Sequence, residues 1–187
     1  MKIGVLALQG AFIEHIKILE NLNICAIEIR QKKDFTKELS GLIIPGGEST
    51  VIGKLLVELD LMDDIRTEIS NGLPVLGTCA GMILLAKDIE NDTKSHIGTM
   101  DISVIRNAFG RQYDSFNATA DFNGTPIEMP FIRAPYVKSI GKNVDVLSVI
   151  SNKIVAVKEN NQLATAFHPE LTDDNTVHKY FINMISN

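Results

Sequence analysis

The sequence predicts an α/β protein with a mainly parallel central sheet and helices on both faces. Short apolar runs at 2–8, 24–29, 41–45 and 74–77 have the length of buried strands, and segments with helical spacing of apolar residues lie between them. Strands of a parallel sheet are buried on both faces, which produces such continuous apolar runs. From residue 97 onwards, short strands follow one another at hairpin-like spacing, which predicts an antiparallel extension of the sheet.

Composition limits the class of protein. With 187 residues, the chain is expected to form a single domain, 1–187, with a sizeable core. A net charge of −5 argues against nucleic acid or an anionic membrane surface as a partner. Two cysteines, Cys25 and Cys79, do not make a disulfide framework, and neither a signal peptide nor an apolar run of membrane length is visible. We therefore expect a cytoplasmic protein in a reducing compartment.

The first half of the chain alternates strands with helices. Residues 11–22 place apolar side chains on one helical stripe between the first two strands, and such a β-α-β unit implies a parallel pair. His15 is expected on the surface of this helix, and Cys25, which lies within the second strand, is expected in the core. The remaining segments of this half are a short helix or loop at 32–40 and helices at 51–59 and 60–70.

The second half is predicted to be rich in strands. Asn123-Gly124 is a turn dipeptide, and residues 107–112 are predicted to form a loop. A final helix at 173–185 is expected to direct Val177, Phe181, Met184 and Ile185 toward the core. Strands are predicted at 127–133, 144–150, 153–158 and 163–167.

The stretch Gly-Thr-Cys-Ala-Gly at 77–81 joins a buried strand to the start of a helix. A cysteine flanked by small residues at such a turn is typical of a nucleophile elbow, which projects the side chain out of the sheet. Gly77 and Gly81 leave clearance around Cys79, and the free N–H groups at the helix start favour a thiolate. The alternative is a small buried cysteine that packs as a hydrophobic residue.

His168 directly follows an apolar strand, and Glu170 stands two residues further on. Pro169 restricts His168 to an extended backbone, so that the two side chains can project toward the same side. Ligands of open α/β sheets bind at the carboxyl ends of the strands, where Cys79 is also expected. This pattern predicts a triad of nucleophile, base and orienting acid. The alternative is a solvated turn after an edge strand.

A third motif, Gly46-Gly47-Glu48-Ser49, follows the strand at 41–45. Its two glycines let the backbone approach a ligand closely, and their N–H groups can face a developing oxyanion. The motif is not a P-loop, because the Gly-Lys-Ser/Thr ending is absent. Glu48 or Ser49 is also expected to cap the helix that follows.

Together, these three motifs resemble those of the class I (triad) glutamine amidotransferases, and the chain is most similar to the glutaminase subunits of ribose 5-phosphate-dependent pyridoxal 5′-phosphate synthase. The resemblance implies a flavodoxin-like fold and covers essentially the whole chain. One departure is Ala108, where many relatives carry a serine. Four further stretches carry the narrower resemblance: 3–11 with Glu14-His15, Gly110-Arg111-Gln112 with Asp114-Ser115-Phe116, Phe-Ile-Arg-Ala-Pro at 131–135, and Phe-His-Pro-Glu-Leu-Thr at 167–172.

The resemblance implies hydrolysis of L-glutamine to glutamate and ammonia. Cys79 would attack the side-chain amide carbon and form a glutamyl thioester, His168 would transfer the protons, and Glu170 would orient His168. Backbone N–H groups of Gly47 and Ala80 would form the oxyanion hole. The residues that would bind glutamine are Gly47, Glu48, Ser49, Arg106, Ile132 and Arg133, whose two guanidinium groups suit the substrate carboxylate.

The resemblance also implies a partner. A separate synthase subunit, a (β/α)8 barrel, would receive the ammonia and build pyridoxal 5′-phosphate from ribose 5-phosphate and glyceraldehyde 3-phosphate. The chain itself would need no cofactor, and no His/Cys cluster has the spacing of metal ligands. Gln9-Gly10 is a hypothetical point of coupling to the synthase, because it is expected at the same sheet edge as Cys79.

Three other interpretations remain open. The chain could be the glutaminase of another amidotransferase, such as imidazole glycerol phosphate synthase, although Gly-Arg-Gln and Ile-Arg-Ala-Pro argue against this. It could be a cysteine hydrolase or chaperone-like protein on the same type of sheet, for which Gly-Gly-Glu-Ser and His-Pro-Glu are not expected. It could be a non-catalytic binding module, against which the intact Cys79, His168 and Glu170 weigh.

Overall fold

The computed structural model describes residues 1–92, 96–106 and 115–186. The helices are α1 (Phe12–Asn21), α2 (Ser49–Glu58), α3 (Met62–Ser70), α4 (Ala80–Leu85) and α5 (Thr176–Ser186), with short 3-10 helices at Lys32–Asp34 and Pro169–Leu171. The strands are β1 (Lys2–Leu6), β2 (Cys25–Ile29), β3 (Gly41–Ile44), β4 (Val75–Thr78), β5 (Ala86–Ile89), β6 (Met100–Ile105), β7 (Ser115–Phe122), β8 (Thr125–Ile132), β9 (Tyr136–Ile140), β10 (Asp145–Ile150), β11 (Lys153–Glu159) and β12 (Gln162–Thr165).

One large mixed sheet organises the fold. Its strand order is β2-β1-β3-β4-β12-β11-β9-β6-β5, with β10 added beside β11. The pairs from β2 to β12 along this order are parallel. From β12 onward, β11, β9 and β6 join in antiparallel pairs. This arrangement confirms the predicted parallel sheet with an antiparallel extension.

The central strands are buried along their whole length, as expected for a parallel sheet covered on both faces. Every residue of β3, β4 and β12 is buried. Aliphatic side chains dominate the core around them, and Phe167 and Phe181 are also fully buried there. The final helix contributes Val177 and Phe181 to this core as predicted, whereas Met184 and Ile185 pack against it partly exposed.

A separate antiparallel hairpin, β7 and β8, completes the second half. The predicted Asn123-Gly124 turn closes it, with Asn123 at φ 50° and Gly124 at φ 86°. The predicted loop at 107–112, which contains the Gly-Arg-Gln stretch, lies outside the described residues. In the described part of the chain, no helix is long and apolar enough to cross a membrane.

Two predictions about individual elements are wrong in detail. Cys25 is exposed rather than in the core, because β2 is the edge strand of the sheet. The last helix begins at Thr176 rather than at residue 173. At this start, the backbone N–H of Thr176 donates to Asp174 Oδ1 at 2.8 Å.

Candidate active site

Four loops converge at one edge of the central sheet. Strands β1, β3, β4 and β12 are neighbours and run parallel, so their carboxyl ends meet at this edge. The segments that follow them bring Gln9, Gly47, Cys79 and His168 to the wall of one cavity. Residues far apart in the chain therefore lie together because the topology aligns the ends of their strands.

Cys79 occupies a strained turn between β4 and α4. Its backbone lies at φ 48° and ψ −99°, a conformation that costs non-glycine residues about 1–3 kcal/mol and is frequent at functional sites. The turn is held by a hydrogen bond from the Cys79 N–H to the Thr165 carbonyl at 2.8 Å. Both glycines allow close packing of the backbone at this turn, since a Cβ at Gly77 would lie 2.7 Å from the Gly81 backbone and one at Gly81 would lie 2.2 Å from the Ile44 carbonyl.

His168 and Glu170 form a short, buried hydrogen bond. His168 Nδ1 donates to Glu170 Oε1 at 2.7 Å, and both residues are almost inaccessible to solvent. The backbone N–H of His168 is fixed by the Pro130 carbonyl at 2.8 Å. The two side chains meet because Pro169–Leu171 forms a 3-10 turn. The sequence prediction that they project from an extended segment is therefore wrong.

The glycine at position 46 makes room for the imidazole. A Cβ added there would lie 2.2 Å from His168 Cε1, closer than any real side-chain carbon approaches a neighbour. The loop after β3 is therefore in van der Waals contact with the ring, and only glycine permits this approach.

The charges of the triad support an imidazolium next to the sulfur. Burial by itself would lower the pKa of His168, but its hydrogen bonds with Cys79 and Glu170 and the charges of both groups raise that pKa to about 10. Burial would raise the pKa of Glu170, but the neighbouring His15 and His168 hold it below its ordinary value. The arrangement thus favours an ionised Glu170 beside a protonated His168.

A cavity of about 250 Å³ opens in front of Cys79. Each predicted glutamine-binding residue reaches its wall, whereas Glu170 lies behind His168 and Ala80 begins α4 behind the elbow. Two lining residues had no substrate role in the sequence prediction: Gln9, and Ile83 on α4, which carries no motif signal. The wall is formed by Gln9, Gly47, Glu48, Ser49, Cys79, Ile83, Arg106, Ile132, Arg133 and His168.

The loop after β3 is tied to the end of β1. The Ala11 N–H donates to the Gly46 carbonyl at 3.0 Å, and the Glu48 N–H donates to Gln9 Oε1 at 2.7 Å. Glu48 stands at the N-cap of α2, but its side chain makes no capping hydrogen bond, so the capping prediction is wrong. Because Gln9 takes the Glu48 N–H, the position of the Gly47 backbone depends on the segment after β1.

Two arginines line the cavity from different elements. Arg106 follows β6 and lies 3.1 Å from Asp92 through Nη2. Within the described residues, its buried Nε and Nη2 lack a hydrogen bond of good geometry, which leaves donor capacity for a bound anion. Arg133 is exposed at the end of β8 with φ 42°, an unusual conformation for a non-glycine residue.

A group missed by the sequence prediction lies behind the triad. His15 is fully buried and not on the surface, which makes that prediction wrong. It lies on α1 with its ring against His178 of α5, at a centroid distance of 5.1 Å. Its Nε2 is 3.5 Å from Glu170 Oε2. The wrong prediction arose because the polarity of His15 placed it on the outer face of an amphipathic helix. The signal for a role of His15 in the sequence was the Glu14-His15 pair in the family resemblance.

Comparison with known proteins identifies the class. A model of the SNO glutamine amidotransferase family matches residues 5–187, and the chain therefore belongs to this family. The pyridoxal 5′-phosphate synthase subunit PdxT of Haemophilus influenzae (strain PittEE) is 56% identical over 188 residues, with 98% of both chains covered. PdxT of Streptococcus pneumoniae serotype 2 (strain D39 / NCTC 7466) is 54% identical, with 98% of this chain and 97% of the relative covered.

The fold has a close counterpart among solved structures. A crystal structure of a glutamine amidotransferase superposes with a TM-score of 0.94 at 42% identity and covers 99% of both chains. The predicted fold class and the family resemblance are both confirmed by these similarities.

Proposed function

We propose that this chain is the glutaminase subunit of a pyridoxal 5′-phosphate synthase. The observation that carries the proposal is the position of the Cys79 sulfur at the cavity wall, with His168 and the His168–Glu170 hydrogen bond directly behind it. A cysteine, an imidazole and a carboxylate in this order are the groups that acyl transfer from an amide requires. The family and the two PdxT relatives support glutamine as the amide.

The proposed reaction proceeds in two halves. The Cys79 thiolate attacks the side-chain amide carbon of glutamine, and backbone N–H groups of Gly47 and Ala80 stabilise the oxyanion. His168 gives its Nε2 proton to the departing nitrogen, so ammonia leaves and a glutamyl thioester remains. Neutral His168 then removes a proton from water, whose oxygen attacks the thioester. Glutamate is released, and the Cys79 thiolate and protonated His168 are restored.

The cavity suits one free amino acid. Its volume of about 250 Å³ lies below the ~300–1,000 Å³ of pockets for drug-sized ligands. Arg106 and Arg133 supply guanidinium groups for the α-carboxylate of glutamine, and Glu48, Ser49 and Ile132 complete the substrate contacts.

Arg106 tests this assignment of the carboxylate. We expect Arg106→Met to raise the KM for glutamine about ten- to hundredfold, since a charge-assisted hydrogen bond contributes about 1.5–3 kcal/mol. The kcat should change much less, because the α-carboxylate takes no part in the bond changes. Steady-state glutaminase assays measure both constants. Arg66→Met is the control, since Arg66 binds the carbonyls of His96 and Ile97 on another part of the surface. An unchanged KM in Arg106→Met would contradict the assignment.

The proposed partner is a (β/α)8-barrel synthase subunit that receives the ammonia and builds pyridoxal 5′-phosphate from ribose 5-phosphate and glyceraldehyde 3-phosphate. The PdxT relatives are subunits of a synthase, which supports an assembly of this kind. The hydrogen bond from Glu48 to Gln9 offers a physical route for coupling, because it connects the oxyanion loop to the segment after β1. A cytoplasmic location is part of the proposal and agrees with a reactive thiol at Cys79.

The deciding experiment measures ammonia release from L-glutamine with and without the barrel synthase subunit. We expect the wild-type rate to rise on addition of the synthase, and we expect Gln9→Ala to reduce this rise. An ammonia release rate that does not change on addition of the synthase would support the glutaminase reaction but contradict the proposed partner. A full response of Gln9→Ala would reject only the coupling route. No ammonia release from a correctly assembled complex would favour a non-catalytic binding module.

A further inference from the structure

We propose that His15 is a positioning residue that orients Glu170 and, through it, His168, as the middle of a buried chain of side chains running from His178 to the triad. The inference rests on the proposed function, since it concerns the orientation of the catalytic base. The inference adds two histidines to the site, His15 from α1 and His178 from α5. The sequence motifs of the site all lie at the ends of strands.

The geometry forms a continuous chain. His178 Nε2 lies 2.9 Å from His15 Nδ1. His15 Nε2 lies 3.3 Å from Thr78 Oγ1 and 3.5 Å from Glu170 Oε2. The other carboxylate oxygen, Oε1, accepts the His168 proton at 2.7 Å. The two oxygens of Glu170 are therefore divided between the two imidazoles, one in front of the carboxylate and one behind it.

The carboxylate needs the group behind it. Among the described residues, Glu170 Oε2 is buried without a hydrogen bond of good geometry, and the Nε2 of His15 lies 3.5 Å from it. A separation of 3.5 Å is long for a hydrogen bond, but apo enzymes often hold catalytic contacts slightly open. Without an N–H behind it, the carboxylate would have a buried charged oxygen unpaired and would be free to rotate away from His168.

The contacts from His178 to Glu170 select one tautomer of each histidine. If His15 carries its proton on Nε2, it points an N–H at Glu170 and accepts the His178 Nε2 proton on Nδ1. In the opposite tautomer, a lone pair of His15 would face the carboxylate. His178 Nδ1 is unpaired within the described residues with either tautomer. The tautomer of His15 is therefore set by its contact with the Glu170 carboxylate. The donors then all point toward the triad, from His178 through His15 to Glu170.

Burial keeps this chain neutral. Burial and His168 lower the pKa of His15, against the charges of Glu170 and Glu14. Burial lowers the pKa of His178 to about 3, against the charge of Glu170. A neutral His15 can orient the carboxylate without competing with His168 for its negative charge. The triad therefore keeps one imidazolium, at His168, where the reaction uses the proton.

Two amide substitutions at position 15 separate this role from packing. A glutamine amide reaches about as far as imidazole Nε2 and can donate to Glu170, whereas an asparagine amide reaches only as far as Nδ1 and faces His178. We expect His15→Asn to lower the kcat of the synthase-bound enzyme about ten- to hundredfold with an unchanged KM, since the donor that faces the charged carboxylate is lost. We expect His15→Gln to keep the kcat within about threefold of wild type, because the donor remains.

A double-mutant cycle gives the second readout. If His15 acts through Glu170, His15→Asn should cost little further kcat in a Glu170→Gln background. Thermal unfolding of each variant identifies losses that come from packing alone. Equal kcat losses in His15→Asn and His15→Gln, or additive losses in the cycle, would overturn the inference while leaving the proposed function intact. Wild-type protein without glutaminase activity would overturn the proposed function and this inference with it.

Discussion

Replacing Cys79 by alanine is expected to abolish ammonia release from L-glutamine, lowering kcat by at least about 10⁴-fold. The sulfur is the only atom of the proposed triad that forms a covalent bond to substrate, and neither His168 nor Glu170 can take its place. Alanine fills less volume than cysteine and has the same backbone preferences, so the elbow should keep its conformation. Steady-state ammonia release in the presence of the synthase measures the effect.

Cys25 provides the matched control. It is the other cysteine of the chain and is exposed on the edge strand β2, so Cys25→Ala should leave the kcat unchanged. A glutamine-like electrophile should label Cys79 alone, and glutamine should protect it. Residual activity of Cys79→Ala within about tenfold of wild type would exclude a covalent thioester route, because loss of a nucleophile costs far more.

The order of strands along the chain predicted most of the fold, because parallel strands with two buried faces leave a strong apolar signal. The same signal placed Cys79 and His168 at strand ends, and the parallel register between β4 and β12 explains why they meet. The 3-10 turn after His168 was not predicted, because Pro169 is compatible with an extended segment as well as with the first turn of a helix.

The side chains behind the triad could not be predicted in the same way. His15 and Glu14 are adjacent polar residues on one helix, yet His15 is buried because α5 covers that side of α1. Helical spacing describes one helix and does not report which of its polar positions a distant helix will cover. Cys25 shows the reverse case, because an apolar strand pattern does not reveal that β2 lies at the edge of the sheet.

Glu170→Gln is expected to lower kcat by about 10²–10⁴-fold with little change in KM, as for loss of the orienting acid in related triads. The amide has nearly the shape of the carboxylate but a donor on one side. If its NH2 faces His168, the imidazole proton must move to Nε2 and the ring can no longer act as a base toward Cys79. If the amide oxygen faces His168 instead, the NH2 meets the N–H of His15, so that two donors oppose each other.

Either orientation also removes the negative charge that helps to keep His168 protonated, and this loss distinguishes Glu170 from a merely structural buried acid. Glu159→Gln is the matched control, because Glu159 is also buried but accepts the Asp101 N–H at 2.7 Å beside Gln162, at the opposite end of β12 from His168. Its kcat should remain that of wild type. A kcat of Glu170→Gln within about threefold of wild type would mean that the carboxylate has no role in catalysis. The ring of His168 would then be oriented by the backbone hydrogen bond of His168 to Pro130 and by its packing against Gly46.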